Sequence, residues 1–392
     1  MNGTTRSNHA DRSPHWEDRS TVPEAGIAPH SIRISLGSKM AYLSWLSCRR
    51  GQAEAIFRAA IVLAGSTQQG ISLIAFHGHS LTGRAAVAHV NRRAFVAASV
   101  ASAVASDFAL AQAPSTNSMA WATMSRAERD AAYDNGAAVS DSSQIVERWV
   151  AASTTFRGQR SQHIDLGYGP GERNKWDLFP GNDPKAPCLV FIHGGYWQFR
   201  NRESFSCFAE GVLAQGWSAA LPGYTLAPAA TLTQIVQEIR SALDWLAAQG
   251  SAHGIAGPVI LSGWSAGGHL TAMVLDHPSV RAGLAISGIF ELGPIRDTYL
   301  NERLKLSDQQ IATLSPLRLS STSKPLVIAY GTAELPALVR DSREYHAHRA
   351  RSHLPGPLIP VPNANHYTIM EELRSPKGIL PRTAMRLVED SA

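Results

Sequence analysis

The chain has 392 residues, of which 44% are apolar and 17% charged, which fits a globular protein and excludes a wholly disordered chain or a coiled coil. Its net charge of +5 does not indicate a nucleic-acid partner, because residues 1–113 hold 11 basic and 6 acidic side chains whereas residues 114–392 hold 25 of each. Three cysteines are too few for a disulfide framework, and no cysteine–histidine cluster has zinc-site spacing. No apolar run approaches the ~20 residues needed to cross a bilayer, so we expect no stable membrane insertion.

The first part of the chain is predicted to lie outside the main domain. Residues 1–90 show weak periodicity, and we expect a poorly ordered N-terminal extension there. Residues 91–118 combine Arg92-Arg93, an apolar run over 94–106 and Ala-x-Ala sites, a pattern typical of a twin-arginine export signal and its cleavage region. Because such signals are N-terminal, we hypothesise that translation begins near Val87 or Val90. The signal predicts a periplasmic protein; the alternative, an alanine-rich surface helix, leaves it cytoplasmic.

Residues 119–392 are predicted to form one α/β domain. Five short apolar runs are typical of strands buried on both faces: Leu189–Ile192, Trp217–Leu221, Val259–Ser262, Leu284–Ser287 and Leu326–Tyr330. Leu358–Val361 is a weaker, edge-like sixth strand. Helical spacing between Ile235 and Leu246, and again over 336–351, places helices between strands. This order predicts a mostly parallel central sheet flanked by helices.

A candidate nucleophile lies where the third predicted strand meets a helix. Gly263-Trp264-Ser265-Ala266-Gly267 is a Gly-x-Ser-x-Gly sequence in the strand–turn–helix context that gives this motif its meaning. The serine occupies a strained turn that exposes its hydroxyl, and the glycines allow the strand and helix to approach closely. We therefore predict that Ser265 is a catalytic nucleophile. A similar stretch over 78–83 has its second glycine one residue late and no strand–helix context.

The end of the first strong strand supplies candidate oxyanion donors. A glycine pair in the Gly194–Tyr196 segment lets the backbone bring N–H groups close to a developing negative charge. We predict an oxyanion hole formed from Gly194, Gly195 and Tyr196 together with the Ala266 N–H. His193 is expected to hold this loop rather than to act as a base.

The general base and its carboxylate should follow the last two strands. Because a serine needs a base to take its proton, we assign His366, in the loop after the edge strand, to that role. Glu334 follows the preceding strand and is the predicted acid that orients the imidazole, with Asp341 as the alternative. The chain order Ser265, Glu334, His366 is the order expected of an α/β-hydrolase fold.

With these residues assigned, residues 119–392 resemble the kynurenine formamidase (arylformamidase) branch of the α/β-hydrolases. The stretches that carry the resemblance span most of the domain: Arg126–Tyr133, Asp177–Pro180, His193–Gln198, Gly223–Pro228, Gly263–Leu270 and Glu291–Ile295. The family's nucleophile, acid and base map onto Ser265, Glu334 and His366. Two departures are Glu334, where aspartate is common, and Trp264, where related elbows often have histidine.

The resemblance implies hydrolysis of an aryl formamide such as N-formylkynurenine through a formyl-serine, with a small-molecule substrate and no metal or organic cofactor. Tyr196 and Trp197 are candidates to pack a substrate ring, and Trp264 is a candidate to shape the pocket. The nearest alternative is a carboxylesterase acting on small acyl esters with the same machinery. An alternative of another class is a catalytically silent hydrolase fold that serves as a binding module. The sequence does not indicate an oligomeric state.

Overall fold

A computed structural model describes residues 121–389 and, before them, five strands; the chain forms two compact units, residues 1–114 and 115–392. In the first unit His30–Leu36 pairs antiparallel with Lys39–Trp45. Ala60–Ile61, Ile71–Ala75 and Ala86–Val90 form an antiparallel three-stranded sheet. These strands apart, the predictions for residues 1–90 and 91–118 lie outside the described residues and stay predictions.

The second unit is built on an eight-stranded sheet. Its strands are β1 Leu166–Gly167, β2 Lys175–Phe179, β3 Cys188–Ile192, β4 Ser218–Pro222, β5 Val259–Trp264, β6 Val280–Ile286, β7 Leu326–Gly331 and β8 Leu358–Val361. Their order across the sheet is β8-β7-β6-β5-β3-β4-β2-β1. Six of these strands, from β8 to β4, run parallel, while β2 is antiparallel to β4 and β1 to β2.

Helices cover the sheet and bury two large apolar clusters. The α-helices are α1 Arg126–Ala131, α2 Asn135–Ala138, α3 Ser142–Gln159, α4 Glu210–Leu213, α5 Leu232–Gln249, α6 Ala266–Met273, α7 Gly293–Arg296, α8 Asn301–Leu304, α9 Asp308–Leu314, α10 Pro336–Arg351, α11 Glu371–Arg374 and α12 Ile379–Glu389. Short 3₁₀ helices lie at Ser161–His163, Arg202–Ala209, Gly250–His253, Pro316–Arg318 and Thr368–Met370. In α5 the apolar residues at helical spacing, Ile235, Ile239, Leu243 and Leu246, are all buried, as their pattern predicts.

The predicted fold class is confirmed. All six expected strands are present, β8 lies at an edge, and the helix predicted over 336–351 has those bounds. The antiparallel edge formed by β1 and β2 was not predicted. Lys175–Phe179 pairs antiparallel with β4 and contains a buried Asp177, which accepts hydrogen bonds from Arg157 and Arg202. That charged residue interrupts the apolar run by which the other strands were recognised.

The topology gathers four loops at one edge of the sheet. The carboxyl ends of parallel strands lie at the same edge, and ligand sites of open α/β sheets form there. The loops after β3, β5, β7 and β8 carry Gly194, Ser265, Glu334 and His366 in turn. Within residues 121–389 no helix is both long enough and apolar enough to span a membrane.

Candidate active site

Ser265 lies in a strained turn between β5 and α6. Its φ of 57° and ψ of −118° are unfavourable for a residue with a side chain, and its N–H donates to the Ile286 carbonyl at 2.8 Å, which fixes the turn against β6. A Cβ on Gly263 would lie 2.2 Å from the Gly267 carbonyl, and one on Gly267 would lie 2.0 Å from the Ile192 carbonyl. Both motif glycines are therefore required by close backbone packing, as the sequence predicts.

Glu334 and His366 form a buried hydrogen-bonded pair. His366 Nδ1 lies 3.0 Å from Glu334 Oε2, and both side chains are almost fully buried. The other carboxylate oxygen, Oε1, accepts from the Ser287 hydroxyl and the Gly331 N–H, each at 2.6 Å. Because a carboxylate only accepts hydrogen bonds, Nδ1 carries the proton and Nε2 is left as an acceptor. This tautomer is the one that a general base requires.

Trp264 connects this pair to the turn that holds Ser265. Its indole Nε1 donates to the His366 carbonyl at 2.8 Å, and the two rings lie 4.8 Å apart between centroids. Trp264 thus links the Ser265 turn to the His366 loop, and within residues 121–389 no hydrogen bond joins the Ser265 and His366 side chains. Catalytic hydrogen bonds are often long in unliganded enzymes and tighten when substrate binds.

Asp341, the alternative acid, lies elsewhere. It is buried on α10, where its carboxylate accepts from the Phe290 N–H at 2.7 Å. Burial raises its pKa to about 8. Of the two carboxylates considered, Glu334 is the one hydrogen-bonded to His366.

The predicted oxyanion loop packs directly against Ser265. A Cβ on Gly194 would lie 3.0 Å from the Ser265 Cβ, and one on Gly195 would lie 2.3 Å from the Phe199 carbonyl. Gly195, Tyr196 and Trp197 all have positive φ, at 114°, 49° and 58°. Within residues 121–389 the fold gives the N–H groups of Gly195, Tyr196 and Ala266 no acceptor, which leaves them available to an anionic oxygen.

Two residues hold this loop in place. His193 stacks on Tyr224, with 4.3 Å between ring centroids, and its Nδ1 donates to the Gly194 carbonyl at 2.8 Å. Burial lowers the pKa of His193 to about 3, so the ring is neutral. The Tyr196 hydroxyl donates to the Tyr133 carbonyl at 2.6 Å and accepts from Asn135 Nδ2 at 2.8 Å. Its phenol therefore anchors the loop to the N-terminal segment of the domain.

The predicted substrate-binding aromatics are largely enclosed. Trp197 has no exposed surface and its ring packs edge-on against His269, so its placement does not support contact with a substrate. Trp264 packs behind His366, and its indole holds that loop. Tyr196 retains 8% exposure. The bulky aromatic side chains next to the Gly-x-Ser-x-Gly motif pack the loops around it. The sequence alone does not distinguish this packing role from contact with a substrate.

Three contributors to the site were missed by sequence reasoning: Ser287, Tyr133 and Asn135. Ser287 has a positive φ of 50° at the end of β6, a position that a polar residue after a buried strand could have signalled. Tyr133 and Asn135 reach the loop from more than 60 positions away, so no local pattern reveals them. Within residues 121–389, no group of three or more His, Cys, Asp or Glu side chains is arranged to hold a metal ion.

Comparison with known proteins places the chain in a family. The BD-FAE family model matches residues 178–277. The chain is 32% identical over 234 residues to a kynurenine formamidase of Salmo salar, covering 55% of this chain and 79% of that protein. The chain belongs to the kynurenine formamidase family. A kynurenine formamidase of Danio rerio is 29% identical over 244 residues, covering 58% of this chain and 82% of the relative.

A solved structure extends the likeness to the fold. A Silicibacter sp. tm1040 protein, provisionally described as a thioesterase, matches with a TM-score of 0.60 and 29% identity, covering 66% of this chain and 99% of that one. This neighbour shares the α/β-hydrolase architecture described above. The protein is a hydrolase that acts on amide or ester bonds.

Proposed function

We propose that the protein hydrolyses an aryl formamide such as N-formylkynurenine, with Ser265 as nucleophile, His366 as general base and Glu334 as the acid that orients it. The observation that carries this proposal is the buried Glu334–His366 hydrogen bond next to the strained Ser265 turn. Two relatives named kynurenine formamidase support the substrate class.

The first half of the reaction would form an acyl-enzyme. His366 Nε2 takes the Ser265 proton while Oγ attacks the formyl carbon, and the carbonyl electron pair moves to its oxygen. The amides of Gly195, Tyr196 and Ala266 would stabilise that oxyanion, with Gly194 allowing the loop to lie against the serine. The C–N bond then breaks as the imidazolium returns its proton to the departing arylamine nitrogen.

The second half would release the acid. His366 removes a proton from water, the resulting hydroxide adds to the formyl-serine, and the ester C–O bond breaks with return of the proton to Ser265 Oγ. Formate and the arylamine are the products. Each proton and electron pair is accounted for by the substrate, water and these side chains, so the proposal requires no metal or organic cofactor.

The test compares two substrates with two enzymes. We expect the wild-type protein to hydrolyse N-formylkynurenine with a higher kcat/KM than p-nitrophenyl acetate, and Ser265→Ala to abolish both activities. A preference for the ester would instead favour the carboxylesterase alternative. Absence of hydrolysis of either substrate by wild-type protein would favour the silent binding module. The predicted periplasmic location is also part of the proposal and awaits N-terminal sequencing of protein from the native cell.

A further inference from the structure

Arg200 is held next to the proposed oxyanion donors. Its backbone has a positive φ of 76°, and its carbonyl accepts from Arg173 at 2.6 Å, while Arg173 also donates to the Tyr224 carbonyl at 2.8 Å. A Cβ on Gly195 would lie 2.8 Å from the Arg200 Cγ. The aliphatic part of the Arg200 side chain therefore packs on the oxyanion loop, and its position is fixed by the backbone around it.

The guanidinium of Arg200 is a partly buried cation without an ion-pair partner. Within residues 121–389 it has no carboxylate at salt-bridge distance and donates no hydrogen bond. Burial lowers its pKa, and the phenol of Tyr367, the residue after His366, is the neighbour that opposes this shift. A partly desolvated charge is unfavourable unless it is paired. Phe199 and Arg200 also border an open groove of about 580 Å³.

Asp134 precedes Asn135, whose Nδ2 donates to the Tyr196 hydroxyl of the oxyanion loop at 2.8 Å. Burial raises the pKa of Tyr367; the Arg200 charge lowers it and the Asp134 carboxylate raises it further. One oxygen of Asp134 accepts from the Ala137 N–H at 2.9 Å, and within residues 121–389 no cation pairs with the carboxylate. Arg200 and Asp134 are thus charges of opposite sign, not bonded to each other and without an ion-pair partner within residues 121–389. One packs on the oxyanion loop, and the other adjoins a residue that hydrogen-bonds to Tyr196 in that loop.

We propose that Arg200 and Asp134 recognise an α-amino-acid group on the substrate, Arg200 binding its carboxylate and Asp134 its ammonium group. The inference rests on the proposed function, in which the scissile formamide lies at Ser265. A guanidinium binds a carboxylate through two parallel hydrogen bonds, which gives orientation as well as affinity. A substrate that carries both a carboxylate and an ammonium group would pair both charges, whereas one with a carboxylate alone would pair only Arg200.

The test uses three formamides: N-formylkynurenine, its α-carboxamide, which lacks the carboxylate, and its desamino analogue, which lacks the ammonium group. With wild-type protein we expect kcat/KM to fall at least about tenfold for each truncated substrate. Arg200→Gln should lose the preference for the acid over the carboxamide but keep the preference over the desamino analogue. Asp134→Asn, which retains the helix cap, should do the reverse.

Two further variants separate charge recognition from structural damage. Arg200→Lys should recover part of the preference for the acid, because it restores the charge without the two-pronged geometry. Arg303→Gln removes an exposed arginine that packs over Phe199 and donates to the Ala227 carbonyl, and it should keep all wild-type ratios. A poorly folded variant lowers all three rates together, so the ratios still report recognition.

Wild-type protein that hydrolyses the three formamides equally would overturn the inference and leave the proposed function standing. The same holds if Arg200→Gln keeps the full preference for the acid. Wild-type protein that cleaves p-nitrophenyl acetate and none of the formamides would refute the proposed function, and the inference would fall with it.

Discussion

The carboxylate of Glu334 is anchored on both oxygens. Oε1 accepts from Ser287 and Gly331 while Oε2 faces His366 Nδ1. A carboxylate held in this way keeps the imidazole in one orientation and stabilises the imidazolium when it forms. Ser287 and Gly331 belong to the ends of neighbouring strands, so the acid is positioned by the sheet and not by a free loop.

Replacing Glu334 should therefore damage catalysis more than folding. We expect Glu334→Gln to lower kcat for p-nitrophenyl acetate by about 10³–10⁴-fold, because the amide no longer fixes the productive tautomer of His366. Steady-state kinetics together with a urea unfolding curve would measure this. The matched control is Asp341→Asn, which removes the buried carboxylate predicted as the alternative acid and should change kcat less than about threefold. If the two variants lose activity equally, Glu334 is not the specific partner of His366.

Individual residues differ in how well the sequence predicts them. Ser265 and its glycines are predictable because strand, turn and helix are consecutive in the chain, and His366 because it follows the last strand. Glu334 and Asp341 both follow β7, so proximity along the chain does not separate them; only the folded positions do. Arg200 belongs to no sequence motif. Its proposed role follows from the absence of an ion-pair partner within residues 121–389 of the folded chain.

At the level of elements, a hydrogen bond connects the end of β5 to the loop after β8. Trp264, the last residue of β5, makes this bond: its indole N–H donates to the His366 carbonyl. The bulky side chain at this position therefore has a positioning role that packing alone would not supply. A histidine there, as in related elbows, would have a different reach and a different donor.

The hydrogen bond from Trp264 to the His366 carbonyl can be removed by a substitution that keeps an aromatic ring in the core. Trp264→Phe keeps an aromatic ring but deletes the donor, so we expect a loss of about 1 kcal/mol in the free energy of unfolding and a fall of about tenfold in kcat, with KM little changed. Trp176→Phe is the matched control, because Trp176 is fully buried and its indole nitrogen has no hydrogen-bond partner among residues 121–389. Equal kinetic effects of the two variants would show that Trp264 acts through packing alone.

For the molecule as a whole, the sequence predicts the parallel part of the sheet and misses the antiparallel edge. Continuous apolar runs mark β3 to β7 because these strands are covered on both faces. β2 contains the buried Asp177, paired with two arginines, and β1 has only two residues, so neither has the signature of a buried strand. The BD-FAE family model likewise matches residues 178–277, which lie in the second unit.

The free energy of unfolding of the whole domain should depend on pH through the buried carboxyl group of Asp341. Burial raises the pKa of Asp341 to about 8 from an ordinary value of 3.8. Between these values the unfolded chain releases a proton that the folded protein keeps, so this group's contribution to stability is present below pH 4 and is lost as the pH rises towards 8.

Asp341→Asn removes that dependence. We expect the difference in unfolding free energy, variant minus wild type, to increase by about 2 kcal/mol or more between pH 5 and pH 8, given roughly 1.4 kcal/mol per pKa unit. Urea unfolding at the two pH values measures it. Parallel pH profiles for the two proteins would mean that Asp341 ionises normally in the folded state.

We propose that the Ser265 hydroxyl is an activated nucleophile. Labelling of the native protein with a fluorophosphonate, followed by mass spectrometry of its peptides, tests this most directly. We expect one adduct, on Ser265, whose formation slows at least about a hundredfold in His366→Ala and is lost in Ser265→Ala. Wild-type protein that remains unlabelled, or a label on another residue that persists in Ser265→Ala, would contradict it.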